Sequence, residues 1–400
     1  MSTATANQLR LVRDAVGRLD ADAAAKEAIA VLLGEVIAQE TLTLPRESVA
    51  QENAYQQAFE AAALAERNAR PRTAMEDVLD REKLADFLNH AVPGEGDIRV
   101  QSAQTVSRGM SKKTVLVTLE GARALPADLA LRVDRSANNY LGTTVVDEWG
   151  PLRLLWDNGA RIPQPFTLEP TGGVIGDPFI VFARASGAPV GSIYVPPGPN
   201  PALLADTAAC MAKVHAVPVD DWPRRDQPQA DAFFDAQFAE YWADWRALEE
   251  SNPIMDACFH WIDRHRERAY GPAALTHDDF NYNNMLVEGD RVSAVLDWEF
   301  AHVGTPAADL AYLWYAARSM GSFADFLAAY EQAGGWLPPK EQLDFYLLWG
   351  QLRLGVMGHK AVRNLEEGHF DDVRFGMARW HRRQALFRLA ELLERLGGKP

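Results

Sequence analysis

The sequence predicts an α+β protein with three parts in series: a helical N-terminal segment, a small antiparallel sheet unit and a larger, mostly helical unit. Three observations lead to this prediction. Residues 6–68 are rich in strong helix formers, residues 98–183 contain short strand-like runs, and helical periodicity dominates after Pro201. A chain of 400 residues is too long for one compact core. We place the parts at 1–91, 92–186 and 187–400.

The first part, residues 1–91, is expected to be helical throughout. About three helices fit residues 6–68. A fourth is predicted over residues 73–88, with Thr73 as its N-cap and Glu76 three residues later, the spacing of a capping box. Two roles stay open for these helices. They are either a packing or homodimerisation appendage or a lid over a site in the following part.

The second part, residues 92–186, is predicted to be a small sheet with one helix. Strands are expected at 98–100, 115–118, 129–133 and 179–183, and a helix at 144–158. A polar loop that contains Gly109 joins the first two strands. Strands gathered around one helix are typical of an α+β unit.

The third part, residues 187–400, is predicted to be helical apart from a strand pair at 285–297. Aromatic residues repeat at three- and four-residue spacing in one of its helices, which favours a core stripe over a pocket wall. His215 lies on an apolar helix face and is interpreted as a structural histidine rather than a ligand. The aromatic stripe consists of Phe234, Phe238, Trp242 and Trp245.

Composition narrows the possible functions. The net charge of −15 disfavours a nucleic-acid partner, whose phosphates require a basic surface. No run of about 18 apolar residues is present, so a membrane span is not expected. The first residues lack the apolar stretch of a secretory signal, and the two cysteines fit a reducing compartment. A cytoplasmic protein is therefore expected.

The segment from Thr276 to Asn284 concentrates polar residues just before the strand pair. If Val287 pairs with Val292, Asn284 lies opposite Val295, two residues before Asp297. That geometry brings a carboxamide and a carboxylate within reach of one ion. Hard oxygen ligands with open positions suit Mg²⁺, which retains water and takes substrate phosphates.

Asp279 precedes Asn284 by five residues and is expected to face the same opening. A carboxylate there can accept a proton from an attacking hydroxyl group. A base, an amide ligand and a metal-binding aspartate, in this order, are the parts that phosphoryl transfer requires. The segment therefore indicates a phosphotransferase.

The same residues resemble a known family. The motif His277-Asp278-Asp279 with Asn284, followed by Leu296-Asp297-Trp298-Glu299 and Asp309-Leu310-Ala311, is similar to the catalytic segment of aminoglycoside phosphotransferase and choline kinase-like proteins. The residues after Val295 are most similar to kinase domains fused to acyl-CoA dehydrogenases. The resemblance implies a bilobal protein-kinase-like fold, with a small nucleotide-binding lobe at 92–186 and a large catalytic and substrate-binding lobe at 187–400.

The family pattern also implies individual roles and co-substrates. It implies Mg²⁺, with ATP or GTP as phosphate donor and a small-molecule hydroxyl as acceptor. In the large lobe the implied residues are Asp279 as base, His277 and Asp309 as supports of its loop, Asn284 and Asp297 as magnesium ligands and Glu299 as a helper for the metal or its water. In the small lobe they are Gly109 and Ser111 over the phosphates, Arg132 as strand cation, Glu148 as its helix partner, and a hinge for adenine that includes Phe182, Ala183 and Ala185.

Two positions depart from the family pattern. Asp278 stands where the family usually has glycine, which adds a charge beside the base and is expected to alter substrate access. Arg132 stands where many relatives have lysine, although its guanidinium fork binds phosphate well. Neither departure removes a reacting group.

Several functions remain open at the level of sequence. The first is phosphorylation of a hydroxy acid, a hydroxyacyl-CoA or another catabolic intermediate, and the second is phosphorylation of an aminoglycoside or other antibiotic. A pseudokinase-like binding scaffold is a third. An HD-type phosphohydrolase would use transition-metal ligands, but it requires its His-Asp pair on a helix, whereas a hairpin follows the pair here. Its ligands would be His260, His265, His277, Asp278 and Asp309.

Overall fold

The computed structural model describes residues 79–106, 112–135, 142–191, 197–224, 227–249, 252–367 and 378–397. The helices predicted within residues 6–68, and the homodimer contact expected of them, lie outside these residues. The described chain divides into two compact units. The first unit holds residues 79–236 and 267–346, and the second holds residues 237–266 and 347–397. The boundaries predicted at residues 91 and 186 stay predictions.

A five-stranded antiparallel sheet opens the first unit. Its order is β1-β2-β3-β5-β4, and the four predicted strands are all present. The edge strand β4 was not predicted, because it begins with a proline, which lacks a backbone N–H and normally indicates a loop. The strands are β1 (Arg99–Val106), β2 (Lys112–Glu120), β3 (Asp128–Asp134), β4 (Pro165–Glu169) and β5 (Phe179–Ala183).

Two helices accompany this sheet. Helix α1 (Arg81–Ala91) begins at Asp80, whose side chain accepts from the backbone N–H of Lys83. The predicted start at Thr73 is wrong for this helix, because residues 79 and 80 are not helical and Asp80 provides the cap; Thr73 itself lies outside the described residues. Helix α2 (Val145–Asp157) confirms the prediction and begins with a capping box between Thr144 and Asp147.

A hairpin of β8 (Met285–Glu288) and β9 (Arg291–Val295) carries the predicted catalytic segment. Val287 pairs with Val292 as predicted, but a bulge between Leu286 and Val287 shifts the rest of the ladder. Asn284 is therefore not opposite Val295: its carbonyl accepts from the N–H of Leu296, at 2.7 Å. The bulge thus brings Asn284 one residue nearer to Asp297 than the regular ladder predicts.

Three short strands precede or follow the hairpin in the chain. Strand β6 (Ala188–Pro189) pairs with β8, and β7 (Ala274–Thr276) pairs with β10 (His302–Gly304). Gly289 has φ +61° in the hairpin turn, a conformation that glycine adopts without steric cost. The segment from Thr276 to Asn284 thus connects β7, which pairs with β10, to β8, which pairs with β6 and β9.

Helices complete the first unit and enclose its core. Apolar residues of α3 and α6 pack with the hairpin, and Trp222, Leu275, Phe280 and Phe326 are almost completely buried. Helices α4 and α8 contribute residues to both units. The helices are α3 (Pro201–His215), α4 (Asp231–Ala247), α5 (Pro253–Arg264), α6 (Pro306–Met320), α7 (Phe323–Gln332), α8 (Lys340–Glu366) and α9 (Ala378–Arg395).

The second unit contains α5, α9 and parts of α4 and α8. Phe238 packs edge-on against Trp242 and Phe259, and its ring is 5.8 Å from that of Trp349. Of the predicted aromatic stripe, Phe234, Phe238 and Trp245 are buried and Trp242 is half-buried, which confirms a core role. None of the helices in the described ranges has the length and apolar character needed to cross a bilayer.

Candidate active site

The loop between β7 and β8 is held by one buried carboxylate. Asp309, on α6, accepts hydrogen bonds from the backbone N–H groups of His277 and Asp278, both at 2.8 Å. His215 adds a contact to the same carboxylate at 3.1 Å through Nε2. Burial raises the pKa of Asp309, but the hydrogen bond from His215 and the charges around it outweigh burial, so the pKa lies below its ordinary value.

His277, which is part of this loop, also holds it through hydrogen bonds of its own side chain. Its Nε2 donates to the carbonyl of Leu296 at 2.9 Å, and its Nδ1 accepts from the backbone N–H of Asp279 at 3.2 Å. A neutral imidazole satisfies both contacts, with its proton on Nε2. His277 thus ties the loop to the segment that precedes Asp297. Its geometry, like that of Asp309, is that of a loop support.

Asp279 and Asn284 are in direct contact. The Asn284 Nδ2 donates to Oδ2 of Asp279 at 2.7 Å and to its carbonyl at 3.0 Å. Asn283 donates to Oδ1 of Asn284 at 2.7 Å, and the Tyr312 side chain hydrogen bonds the Asp279 carboxylate. Loss of hydration raises the pKa of Asp279 to about 6, although Tyr312, His277 and Asn284 act against the rise. Asp279 is thus mostly ionised at neutral pH.

Asp297 follows β9 on a strained turn with φ +67°. Its Oδ1 accepts from Nη2 of Arg132 at 2.6 Å, which joins the hairpin to the five-stranded sheet. The charge of Asp297 contributes to the raised pKa of Asp279, so the two carboxylates lie close enough to interact. The structure therefore brings together the three residues that the sequence singled out for proton and metal chemistry.

Arg132 and Glu148 form the predicted ion pair. Nε of Arg132 lies 2.8 Å from Oε2 of Glu148 and 3.1 Å from Oε1. Nη2 of Arg132 is 3.7 Å from Glu299. Burial raises the pKa of Glu148 to about 7, even though Arg132 favours the ionised form.

The same cluster contains groups that sequence reasoning missed. Lys112 and Asp134 are almost fully buried, and their charged atoms are 3.3 Å apart. Counting them, two cations face the four carboxylates of Asp134, Glu148, Asp297 and Glu299. The cluster has an excess of negative charge, which is the electrostatic setting for a divalent cation.

The remaining predicted nucleotide contacts fall into two groups. Gly109 and Ser111 lie outside the described residues. Phe182 and Ala183 end β5, and Ala185 lies two residues beyond it. The N–H of Ala183 already donates to the carbonyl of Gln164 at 2.9 Å, so that amide is not available to an adenine ring.

Two further site residues had a usable signal in the sequence. Tyr312 lies three residues after Asp309 on one helix, so the two side chains share a face. Asn283 is adjacent to Asn284 and precedes the hairpin. Lys112 had none, because its partners come from segments far apart in the chain. His215 was interpreted correctly as structural: it contacts Asp309 and, at 2.7 Å, the hydroxyl of Tyr330.

Comparison with known proteins decides the family. Residues 102–346, more than half of the chain, match the model of the phosphotransferase enzyme family, APH. This chain belongs to that family. The family that the catalytic segment predicted, a family of phosphotransferase enzymes, is therefore confirmed.

Similarity to individual proteins extends the comparison. Acyl-CoA dehydrogenase family member 11 from Rattus norvegicus is 24% identical over 250 residues, which make up 58% of this chain and 31% of the rat protein. The match thus spans about a third of the relative, and it agrees with the branch that the sequence indicated.

Solved structures confirm the kinase-like fold. A structure from Ralstonia eutropha, described as an aminoglycoside phosphotransferase, has a TM-score of 0.65 and 21% identity over 80% of this chain and 99% of that one. Aminoglycoside phosphotransferase APH(4)-Ia, in a complex with AMP-PNP and hygromycin B, has a TM-score of 0.52 and 17% identity over 79% of this chain and all of that one. At these identities the likeness concerns the fold.

Proposed function

We propose that the enzyme transfers the γ-phosphate of ATP or GTP to a hydroxyl group of a small molecule, with Mg²⁺ bound at Asn284 and Asp297. One observation carries this proposal. The side chain of Asn284 bonds Asp279, and its backbone bonds Leu296, the residue before Asp297. A proton acceptor and two oxygen ligands are thereby held on one hydrogen-bonded framework.

Asp279 is the proposed base. Its pKa of about 6 leaves it largely ionised at pH 7 and able to take a proton. The acceptor hydroxyl would give this proton to Asp279 while its oxygen forms a bond to the γ-phosphorus. The bond between the γ-phosphorus and the bridging oxygen breaks, and the nucleoside diphosphate leaves with the electron pair. Tyr312 and Asn284 orient the Asp279 carboxylate for this transfer.

The donor set fits magnesium. Asn284 and Asp297 offer a carboxamide oxygen and a carboxylate, both hard ligands. Within the described ranges, no group of three His, Cys, Asp or Glu side chains is placed to hold a metal ion. Such a sparse protein set suits an ion that completes its shell with phosphate oxygens and water. When bound, the ion would neutralise charge on the nucleotide phosphates.

ATP is the proposed phosphate donor, and Arg132 is the residue proposed to bind its phosphates. Arg132, paired with Glu148, offers a guanidinium to the phosphates. The AMP-PNP complex of the APH(4)-Ia structure supports ATP. The segment from Phe182 to Ala185 is proposed to receive the nucleotide base through groups other than the Ala183 amide, which is bonded to Gln164. GTP is the second candidate for the phosphate donor. A cytoplasmic location fits a nucleotide-dependent reaction.

The acceptor is proposed from the relatives. The similarity to acyl-CoA dehydrogenase family member 11 supports a hydroxy acid, a hydroxyacyl-CoA or another hydroxylated catabolic intermediate. The hygromycin B complex supports an antibiotic as the second candidate. Asp279 is bonded to Asn284, and Asp297 lies close enough for its charge to act on Asp279, which disfavours the third candidate, a binding scaffold without turnover.

The test is release of ADP or GDP by the purified full chain across alcohols, hydroxy acids, hydroxyacyl-CoA thioesters, sugars and aminoglycosides. For an acceptor that turns over, Asp279→Asn should lower kcat by about a thousandfold or more while nucleotide affinity is retained. Asp290→Asn, in the exposed hairpin turn, is the matched control and should react at the wild-type rate. Unchanged turnover of Asp279→Asn would exclude Asp279 as the base.

A further inference from the structure

Lys112, the first residue of β2, is a buried cation that the proposed reaction has not used. Its side chain is only 2% exposed. Nζ lies 2.5 Å from the carbonyl of Thr143, 3.3 Å from Asp134 and 3.8 Å from Glu299. Burying an ammonium group is costly unless several partners surround it, and these three acceptors hold the Lys112 ammonium at a defined position. Lys112 joins β2, β3 and the loop after β9 at one point.

Glu299 is the carboxylate that Lys112 shares with Arg132. Its Oε2 lies 3.8 Å from Nζ of Lys112 and 3.7 Å from Nη2 of Arg132. Thr143 Oγ1 contacts the same oxygen at 3.5 Å. Glu299 is two residues from Asp297, so whatever holds Glu299 also constrains the turn that carries Asp297.

Arg132 is bound to the carboxylate of Asp297, which the proposed function assigns to magnesium. Its guanidinium is 2.6 Å from the Asp297 carboxylate. A second cation on that carboxylate would be repelled by Arg132 unless the guanidinium found another acid. Glu299 is that acid, because it already lies within 4 Å of Nη2. For this exchange Glu299 must stay in place.

We propose that Lys112 is a positioning residue of the phosphotransfer reaction: it holds Glu299 in place, so that Asp297 can exchange Arg132 for the magnesium-bound nucleotide. The inference rests on the proposed function, since it presumes Mg²⁺ and a nucleotide at Asp297. Lys112 acts through Glu299 and touches no reacting atom.

The chain provides a matched control in the next residue. Lys113 points to the other face of β2, where Nζ lies 3.1 Å from Asp177 and the side chain is 40% exposed. Replacement of either lysine by methionine removes one positive charge from the same strand. Only the replacement of Lys112 removes a contact to Glu299.

The experiment is isothermal titration calorimetry of the full chain with ADP, and separately with GDP, each with and without MgCl₂. The readout is the factor by which Mg²⁺ tightens nucleotide binding. We expect Lys112→Met to reduce this factor at least tenfold and Lys113→Met to leave it unchanged. Lys112→Arg, which keeps the charge, should recover part of it. The double variant Lys112→Met with Glu299→Gln should lose no more than Lys112→Met alone.

The outcomes separate the two proposals. Equal magnesium factors for Lys112→Met and Lys113→Met, or additive losses in the double variant, would overturn the positioning role. Wild-type protein that binds neither ADP nor GDP in the presence of Mg²⁺ would instead overturn the proposed function. If Lys112→Met shows no cooperative thermal unfolding, the Glu299→Gln and Lys112→Arg variants are compared instead. A reduced magnesium factor in Glu299→Gln but not in Lys112→Arg supports the positioning role. A magnesium factor in Glu299→Gln equal to that of the wild type refutes it.

Discussion

The catalytic loop and the charged cluster lie in the same unit, but different interactions hold them. In the loop, the Asp309 carboxylate accepts from two backbone N–H groups, and His277 bonds further backbone atoms. In the cluster, Arg132 and its partners meet through side chains alone. Backbone contacts fix the path of the chain, whereas side-chain ion pairs can change partners without moving it. Asp279 thus lies on a loop that is fixed by main-chain contacts, whereas Arg132 is held by side-chain ion pairs that can change partners.

The largest effect should come from removing the loop support. Asp309→Ala leaves two backbone N–H groups and His215 without their buried acceptor, so we expect a loss of about 3–5 kcal/mol in the free energy of unfolding. Urea denaturation measures the change. Asp325→Ala, which removes an exposed acid at the start of α7, is the control and should cost about 1 kcal/mol or less. Equal losses would show that the loop does not depend on Asp309.

The cluster should respond to pH, because Glu148 is buried. Its pKa of about 7 lies above the ordinary value of 4.5, so the folded protein binds a proton that the unfolded chain has released. This contribution to stability is fully present below about pH 4.5 and is lost as the pH rises through about 7. Glu148→Gln should flatten that decline, which amounts to about 2–3 kcal/mol. Thermal unfolding between pH 5 and 8 measures it, and an unchanged slope would contradict the prediction.

The smallest effect concerns backbone strain in the loop. Asp278 has φ +63°, a left-handed conformation that glycine adopts more readily than aspartate. Asp278→Gly should therefore stabilise the protein by up to about 1 kcal/mol, seen as a higher Tm. Asp278→Asn removes the charge but keeps the side chain, and it separates electrostatic effects from strain. A lower Tm for Asp278→Gly would mean that contacts of the Asp278 side chain outweigh the strain.

Local patterns in the sequence were enough to predict much of the site. The order and spacing of Asp279, Asn284 and Asp297 predicted a shared location, since a short hairpin leaves few ways to arrange them. The residues from 144 to 158 likewise predicted α2 correctly. Where the physical cause is local in the chain, prediction succeeded.

The rest depends on contacts between distant segments. Lys112 meets Glu299 across 187 positions of sequence, and no local pattern marks that contact. The bulge at Leu286 depends on ladder geometry, which alternation of side chains does not specify. The start of α1 was misplaced because threonine and aspartate are both residue types that favour the N-cap, and the sequence alone does not rank Thr73 against Asp80.

The bond between the backbone of Asn284 and Leu296 has a consequence for how this enzyme can diversify. Because a main-chain hydrogen bond joins Asn284 to the residue before Asp297, substitutions of neighbouring side chains leave the spacing of Asn284 and Asp297 intact. Side chains on the half-buried face of α6 near Tyr312 can therefore vary without changing this spacing, while insertions or deletions within the hairpin would break the register. If the proposed function holds, a change of acceptor is expected to arise from side chains such as those on that helix and not from a change in hairpin length.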